Sequence, residues 1–393
     1  MREGDRLYIE GQTISGLKAW QQNFDRVVAV ASTRTKPIPK HYVPVDEAGL
    51  NPDEIRLMPL PDGYHRPTYR RVIKEVKAQL LTAMQAADYC VFSFGGWPGD
   101  WGEVCARLSR QNGIPHAIWL DRVESQVVLN QHDGSLSGRL KSVIKSRIIA
   151  YNENRALAGA DLSMLHGKTV YDVLRGRAAN PCRSENIHFE EHDRIPPEEV
   201  TAKRAQAAEG PLRILYTGRA DTMKGPFLWL DTLAELKARG VAFEARWLGA
   251  GPLLEDLQAR VAAEELDGQV AFEGFVADRD AVRAAQRWAQ VFLFCHLTDE
   301  SPRAPIEALY AATPLVGFSD PFAADLVEEK GAGDLVARGD VTGLADVLQG
   351  LAGDRQTLQD LIDRAHASAR NLTRSKVFAE RAAQVKANLR KRA

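Results

Sequence analysis

Hydrophobic positions along the chain alternate between two rhythms. Residues 26–32 (RVVAVAS) form a compact apolar run, which predicts a strand buried on both faces, and residues 55–60 (IRLMPL) predict a weaker one. Across residues 69–87, Val72, Val76, Leu80 and Met84 recur four apart and predict one apolar face of a helix. Residues 89–94 (YCVFSF) read as another buried strand, followed by a helix over 102–111 and a strand over 115–121. Strand, helix, strand at this pace means βαβ units and a parallel sheet. The rhythm fails between Pro181 and Pro211, where Pro196, Pro197 and many charges interrupt it, so a linker is expected over 195–211. It then restarts, with strands expected over 213–217, 245–248, 270–272, 291–295 and 314–318 and amphipathic helices between them. The fold class expected is α/β, with two doubly wound domains: 1–195, and 210–375 with a final helix over 376–393 crossing back onto the first.

Composition narrows the function. A chain of 393 residues fits two domains at ~100–200 residues each. With 45% hydrophobic residues each half can bury a core, so disorder is excluded as the dominant state. Lys plus Arg total 51 against 52 Asp plus Glu, a formal charge of −1, which argues against a protein whose task is neutralising nucleic-acid phosphates. Cys90, Cys105, Cys182 and Cys295 form no CxxC pair and read as small core hydrophobes in a reducing compartment. The start, MREGDRLYIEG, has no apolar leader segment, and a cytoplasmic protein is expected.

Ligands of open α/β sheets sit beyond the carboxyl ends of the strands, so the residues there carry the chemistry. After Thr217 come Gly218, Arg219, Lys224 and Gly225: a tight turn with two cations, one a guanidinium fork and one a mobile ammonium, both suited to phosphate oxygens. The same pattern alone would also suit a solvated turn. After Leu248, Gly249-Ala-Gly251-Pro252 is a glycine turn that permits close backbone approach. After Cys295 the chain reads His296 through Asp299, then Ser301-Pro302-Arg303-Ala304, with Glu307 further on. Ser301 suits a helix N-cap and Pro302 the first turn, which makes an anion site of the helix start. A capped helix with acidic decoration is the plainer alternative.

In order and spacing, these segments resemble the nucleotide-sugar domain of family-4 retaining glycosyltransferases of GT-B fold. The family pattern G-R-x4-K-G, a glycine turn, F-x-G-x-V, and E-x7-E followed by P-V reads here as Gly218-Arg219…Lys224-Gly225, Gly249…Gly251, Phe272…Gly274…Val276, and Asp299…Glu307 with Pro314-Leu-Val316. Asp299 stands where the family has Glu. The resemblance implies two Rossmann-like domains facing a central cleft and transfer of a hexose-type sugar, with retention, from a nucleotide diphosphate sugar to a saccharide or lipid-linked acceptor. It implies that Arg219 and Lys224 hold the diphosphate and stabilise the leaving nucleotide, and that backbone at Phe275 and Val276 meets the base. It further implies that Glu307 meets the ribose, and that Asp299 with the amides of Ser301, Pro302, Arg303 and Ala304 meets the donor sugar and distal phosphate. No metal or other cofactor is expected. A nucleotide-sugar-binding partner subunit without turnover is the alternative. Family members begin with a buried strand and a glycine loop. Here the short run Leu7-Tyr8-Ile9 reads as an added hairpin strand instead.

The first half carries fewer signals. Gly95-Gly96-Trp97-Pro98-Gly99 follows a strand and is an acceptor-side candidate, with Asp121 and His166 at two further strand ends. His188 and His192 flank Glu190 and Glu191, a spacing that makes poor metal evidence. Residues 137–149 carry Arg139, Lys141, Lys145 and Arg147, with Leu140, Val143, Ile144 and Ile148 on another stripe. That pattern is read first as a helix packing its apolar stripe on the core, and secondly as a peripheral contact with an anionic membrane. The basic tail from Lys386 to Arg392 is read the same way.

Overall fold

The computed structural model describes residues 1–34, 37–39, 42–130, 135–185, 187, 189–298, 303–327, 331–369 and 373–389. The chain divides into two compact units, Met1–His188 with Arg374–Ala393, and Phe189–Thr373.

The second unit is built on a six-stranded parallel sheet. Its strands are, in chain order, Leu212–Thr217, Phe243–Leu248, Val270–Gly274, Val291–Phe294, Leu315–Phe318 and Gly333–Val336. Across the sheet they run third, second, first, fourth, fifth, sixth, so the order reverses between Leu212–Thr217 and Val291–Phe294. The apolar runs VFLF and LVGF are buried along their whole length, as strands covered by helices on both faces must be. Beneath the strand ends lies an aromatic stack. Tyr216 lies 4.1 Å from Trp247 and 5.4 Å from Phe292 between ring centroids, and Trp229 meets Trp247 edge-on.

Residues 195–211, read from their prolines as a linker, contain the helix Pro197–Ala207. Pro197 sits in its first turn, where a missing N–H costs nothing. The helix is anchored by Lys203, whose buried Nζ donates to the Ala311 carbonyl (2.7 Å) and the Thr313 hydroxyl (2.5 Å).

The first unit holds the parallel sheet Val91–Ser93, Ala117–Leu120, Leu162–His166 and Pro181–Ser184, ordered as in the chain. A separate parallel pair joins Val27–Thr33 to Ile55–Pro61. The first of these is not buried on both faces: Val28 and Val30 are 50% and 38% exposed. Its inner side faces the helix Gly11–Gln21, and one covered face gives alternation rather than continuous burial. Arg6–Glu10 contains the Leu7–Ile9 run and forms a hairpin with Arg2–Glu3 and an antiparallel pair with Tyr42–Pro44. The last helix, Arg374–Asn388, contributes Val385 to a core cluster with Ala117, Leu162 and Met164. Its buried Arg381 lies 4.0 Å over the Trp119 ring and donates to the Ser184 hydroxyl at 2.8 Å. Lys386 donates to the Asn23 carbonyl, and the remaining basic residues of the tail lie outside the described residues.

The helix Leu136–Gly159 departs most from expectation. Leu140, Ile144 and Ile148 do not pack on the core; they are exposed, and the buried face is Ser142, Ile149, Glu153, Ala156 and Leu157. Glu153 is admitted to that face because it accepts from both the amide and the hydroxyl of Ser125 (3.2 and 2.6 Å).

Candidate functional site

In an open parallel sheet the crevice for a ligand forms where strand order reverses. In the second unit the strands beside that point end in Thr217 and Phe294. Thr217 is followed by Gly218, then by the single turn Thr222–Lys224, then by Gly225 in a left-handed conformation (φ 61°) and the helix Pro226–Ala238. The Leu297 amide donates to the Met223 carbonyl at 2.9 Å, which ties the loop after the fourth strand to the loop carrying Lys224. A Cβ on Gly225 would stand 2.1 Å from the Cys295 carbonyl oxygen, so only glycine permits that contact.

The glycine turns serve one another as much as any ligand. The Gly218 amide donates to the Leu248 carbonyl and the Gly249 amide to the Gly274 carbonyl, while the Trp247 indole donates to the Gly218 carbonyl at 3.1 Å. A Cβ on Gly249 would lie 1.8 Å from the Gly218 oxygen, and one on Gly251 2.2 Å from that of Ala220. Three loops at consecutive strand ends are thus locked by backbone approach.

Within this frame Arg219 reaches out, its side chain 75% exposed, with the largely buried Asp221 carboxylate 3.6 Å away. Lys224 is half-buried and close enough to His296 for its charge to be felt there. His296, buried, pairs its Nε2 with the Tyr216 hydroxyl at 2.8 Å. Burial first, and the Lys224 ammonium second, push its imidazole down to about 3, so it is neutral at ordinary pH. This pairing was not read from the sequence, where His296 is one residue in a loop.

Glu307 lies within the helix Arg303–Tyr310 and accepts from the Gln286 side chain at 3.0 Å. Arg303, at the start of that helix, is exposed and Ala304 is half-buried. Phe275 and Val276 diverge: Phe275 is 78% exposed, and the Val276 side chain joins the cluster of Leu215, Leu248, Ala285 and Ala289. Asp299, Ser301 and Pro302 lie outside the described residues.

The first unit carries a pocket of about 470 Å³ at the ends of two adjacent strands. Gly95 and Asp121 both line it, together with Tyr64, Trp97, Asp100 and Lys145. Asp100 shapes its rim: its carboxylate accepts from the amides of Gly95 (2.6 Å), Gly96 (3.1 Å) and Gly102 (3.1 Å) and caps the helix Trp101–Gln111. Burial raises the Asp100 carboxyl, and those three amides pull against that shift. The Gly95 and Gly96 amides therefore face Asp100, and Lys145 lies over the Trp97 ring at 5.3 Å. Gly96 adopts a φ of 69°, and a Cβ there would strike Phe94 and Ile149. His166 does not line the pocket; it is buried at the end of Leu162–His166 with Nδ1 3.3 Å from the Ser184 carbonyl, and burial lowers its imidazole. Sequence reasoning missed Asp100, although an Asp directly before an apolar helix start is a cap signal. His188 lies outside the described residues, and His192 is exposed. Among the described residues no group of three His, Cys, Asp or Glu side chains could hold a metal ion, and no helix is long and apolar enough to cross a membrane.

Comparison with known proteins bears on this geometry. Residues 198–368 match the family model of glycosyl transferases group 1, a segment that holds the loops of Arg219, Lys224 and Glu307 and excludes the pocket of the first unit. WcaL of Salmonella typhimurium, named as a colanic acid biosynthesis glycosyltransferase, is 30% identical over 172 residues, 42% of each chain. The alpha-D-kanosaminyltransferase of Streptomyces kanamyceticus is 23% identical over 265 residues, 66% of each chain. The structure of Anabaena Alr3699/HepE in complex with UDP matches with a TM-score of 0.68 and 17% identity over 96% of each chain. The chain thus spans about two fifths of the length of the WcaL relatives it matches, while the fold likeness extends over nearly the whole of it. The fold is GT-B.

Proposed function

We propose that this chain is a retaining glycosyltransferase that moves a hexose-type sugar from a nucleotide diphosphate sugar to a saccharide or lipid-linked acceptor in cell-surface polysaccharide or glycolipid synthesis. One observation carries the reading. Two cations, Arg219 and Lys224, stand at the reversal point of a doubly wound sheet, inside the segment that matches glycosyl transferases group 1. The UDP bound in the HepE structure and the colanic acid in the name of WcaL support the donor and the polysaccharide setting.

On this reading Arg219 and Lys224 hold the diphosphate and need no metal ion beside them. Backbone at Phe275 and Val276 meets the base, Glu307 the ribose, and Asp299 with the amides of 301–304 the donor sugar. The bond from the anomeric carbon to the diphosphate oxygen breaks, and an acceptor oxygen bonds the same face of that carbon. The acceptor's proton passes to the leaving phosphate. The protein supplies fixed positive charge where negative charge develops. The acceptor enters the pocket of Gly95, Asp121, Trp97 and Tyr64, whose aromatic faces and carboxylates suit a sugar's apolar faces and hydroxyls. The work is cytoplasmic.

The test is to mix the purified chain with a panel of nucleotide diphosphate sugars and follow nucleotide release and thermal shift. Turnover is expected with at least one donor, and Lys224→Ala abolishes it while the melting temperature stays. Stabilisation by a nicotinamide cofactor and by no nucleotide diphosphate refutes the transferase. Donor binding without turnover on any saccharide acceptor assigns the chain to the non-catalytic partner class. Unchanged turnover in Lys224→Ala removes that residue from the site.

A further inference from the structure

The helix Leu136–Gly159 turns an apolar row to solvent. Leu136, Leu140, Ile144 and Ile148, each four residues on, are 84%, 62%, 53% and 36% exposed, and Tyr151 continues the row at 59%. At ~1.5 Å per residue the row from Leu136 to Tyr151 runs about 22 Å. Single exposed apolar residues are ordinary, but a continuous row of this length on one helix face marks an interaction surface.

Its charge says what kind. Arg139, Lys141, Lys145, Arg147 and Arg155 lie on the same helix, and its one acid, Glu153, is fully buried against Ser125. At 100° per residue Arg139 falls on one flank of the row, Lys141 and Lys145 on the other, and Arg147 among the apolar residues. A second copy of this chain meeting the face across a two-fold axis would bring cation against cation. Anionic headgroups would meet Arg139, Lys141 and Arg147, all exposed, while the acyl boundary takes the leucines and isoleucines. We propose that this face is an interfacial helix that docks the chain on an anionic phospholipid surface, lying in the headgroup plane.

The same helix supplies Lys145 and Ile149 to the wall of the pocket in the first unit. Docking therefore holds that pocket about one helix diameter, ~10 Å, from the headgroups, within reach of a saccharide carried on a lipid. This last step rests on the acceptor reading above; the docking itself does not.

Vesicle flotation tests it, with vesicles of phosphatidylcholine alone or containing about a third phosphatidylglycerol. The full chain is expected to float with the anionic vesicles, less so at high salt, and to stay down with the neutral ones. Leu140→Ser with Ile144→Ser lowers the partition at least tenfold, about the loss for removing one buried leucine side chain. Arg139→Gln and Lys141→Gln lower it roughly fivefold each. All four sites are exposed, so the melting temperature is unchanged. The variants retain transfer to a soluble saccharide and lose it to a vesicle-borne one. The proposal is overturned if the wild type stays down with both vesicles or if the serine variant floats equally well. It is overturned too if light scattering finds a dimer that the serine variant abolishes, which would assign the face to a second copy. A wild type that floats but transfers no sugar would leave docking standing and remove the transferase reading.

Discussion

Gly225 is where a single methyl group reports on the candidate site. Its φ of 61° lies in the left-handed region, and replacing it by alanine costs ~1–2 kcal/mol there from the Cβ alone. The added Cβ would also stand 2.1 Å from the Cys295 oxygen, where ordinary contact begins at 3.4 Å, so one backbone must retreat by 3.4 − 2.1 = 1.3 Å. Overpacking of this kind costs ~1–3 kcal/mol. Partial relaxation leaves about 2–4 kcal/mol, or roughly 4–16 °C in Tm for a unit of this size. Retreat separates the loop of Lys224 from that of His296, and a displacement near 1 Å at a reacting centre costs ~100-fold in rate.

The assay pairs thermal unfolding with donor-dependent nucleotide release. Gly225→Ala should lower both, with kcat falling ~10–100-fold. Gly350→Ala is the control: it lies in the helix Val341–Gly353, a Cβ there meets nothing within 4 Å, and a gain of ~0.5–1 kcal/mol with unchanged kcat is expected. A Gly225→Ala protein with the wild-type Tm and turnover would refute the idea that backbone contact at Cys295 positions Lys224.

Two further outcomes follow from groups in the two sites. His296 titrates at about 3 in the folded chain and at 6.5 when unfolded, so between those values the unfolded state binds the extra proton and stability rises with pH. Urea unfolding at pH 5 should therefore give about 2 kcal/mol less from this group than at pH 7, a difference that His296→Gln removes; the same pH dependence in both proteins would refute it. Asp100→Ala releases the three amides of Gly95, Gly96 and Gly102 and should cost about 2–4 kcal/mol. It should also raise the acceptor KM and leave the donor KM in place, and a rise in donor KM alone would count against the pocket as the acceptor's.

The parallel strands of the second unit were legible because burial on both faces demands unbroken apolar runs such as Val291–Phe294. Gly333–Val336 was not, since an edge strand with two apolar residues leaves no such run. The turns at Gly218, Gly249 and Gly225 were legible as turns, but their reason was not: Gly249 and Gly225 each face a backbone oxygen from another part of the chain, and spacing does not report who the neighbour is. The Tyr216–His296 bond joins residues 80 apart for the same reason. The helix Leu136–Gly159 shows the limit of periodicity. A four-residue apolar spacing identifies a stripe without saying whether it faces in or out, and here the inward face is a second set, Ser142, Ile149, Ala156 and Leu157, with a satisfied Glu153 among them.

The neutral His296 has a consequence for how the candidate donor site depends on pH. Its ring sits against Tyr216 above the aromatic stack of Trp247 and Phe292, a floor of low polarity. Burial on that floor is the main reason the imidazole titrates so low, with the poorly screened charge of Lys224 adding to it, and the same weak screening strengthens the lysine's field toward a diphosphate on the open side. Since His296 holds no proton above about pH 4, it contributes no limb to a rate profile in the working range. An acid limb near ~6 would then belong to the released nucleoside diphosphate, whose terminal phosphate loses its last proton there, since both phosphates of the donor are esterified. It would persist unchanged in His296→Gln, whereas a limb that vanished with the histidine would mean that the ring is charged in the working enzyme and that the Tyr216 contact opens during turnover.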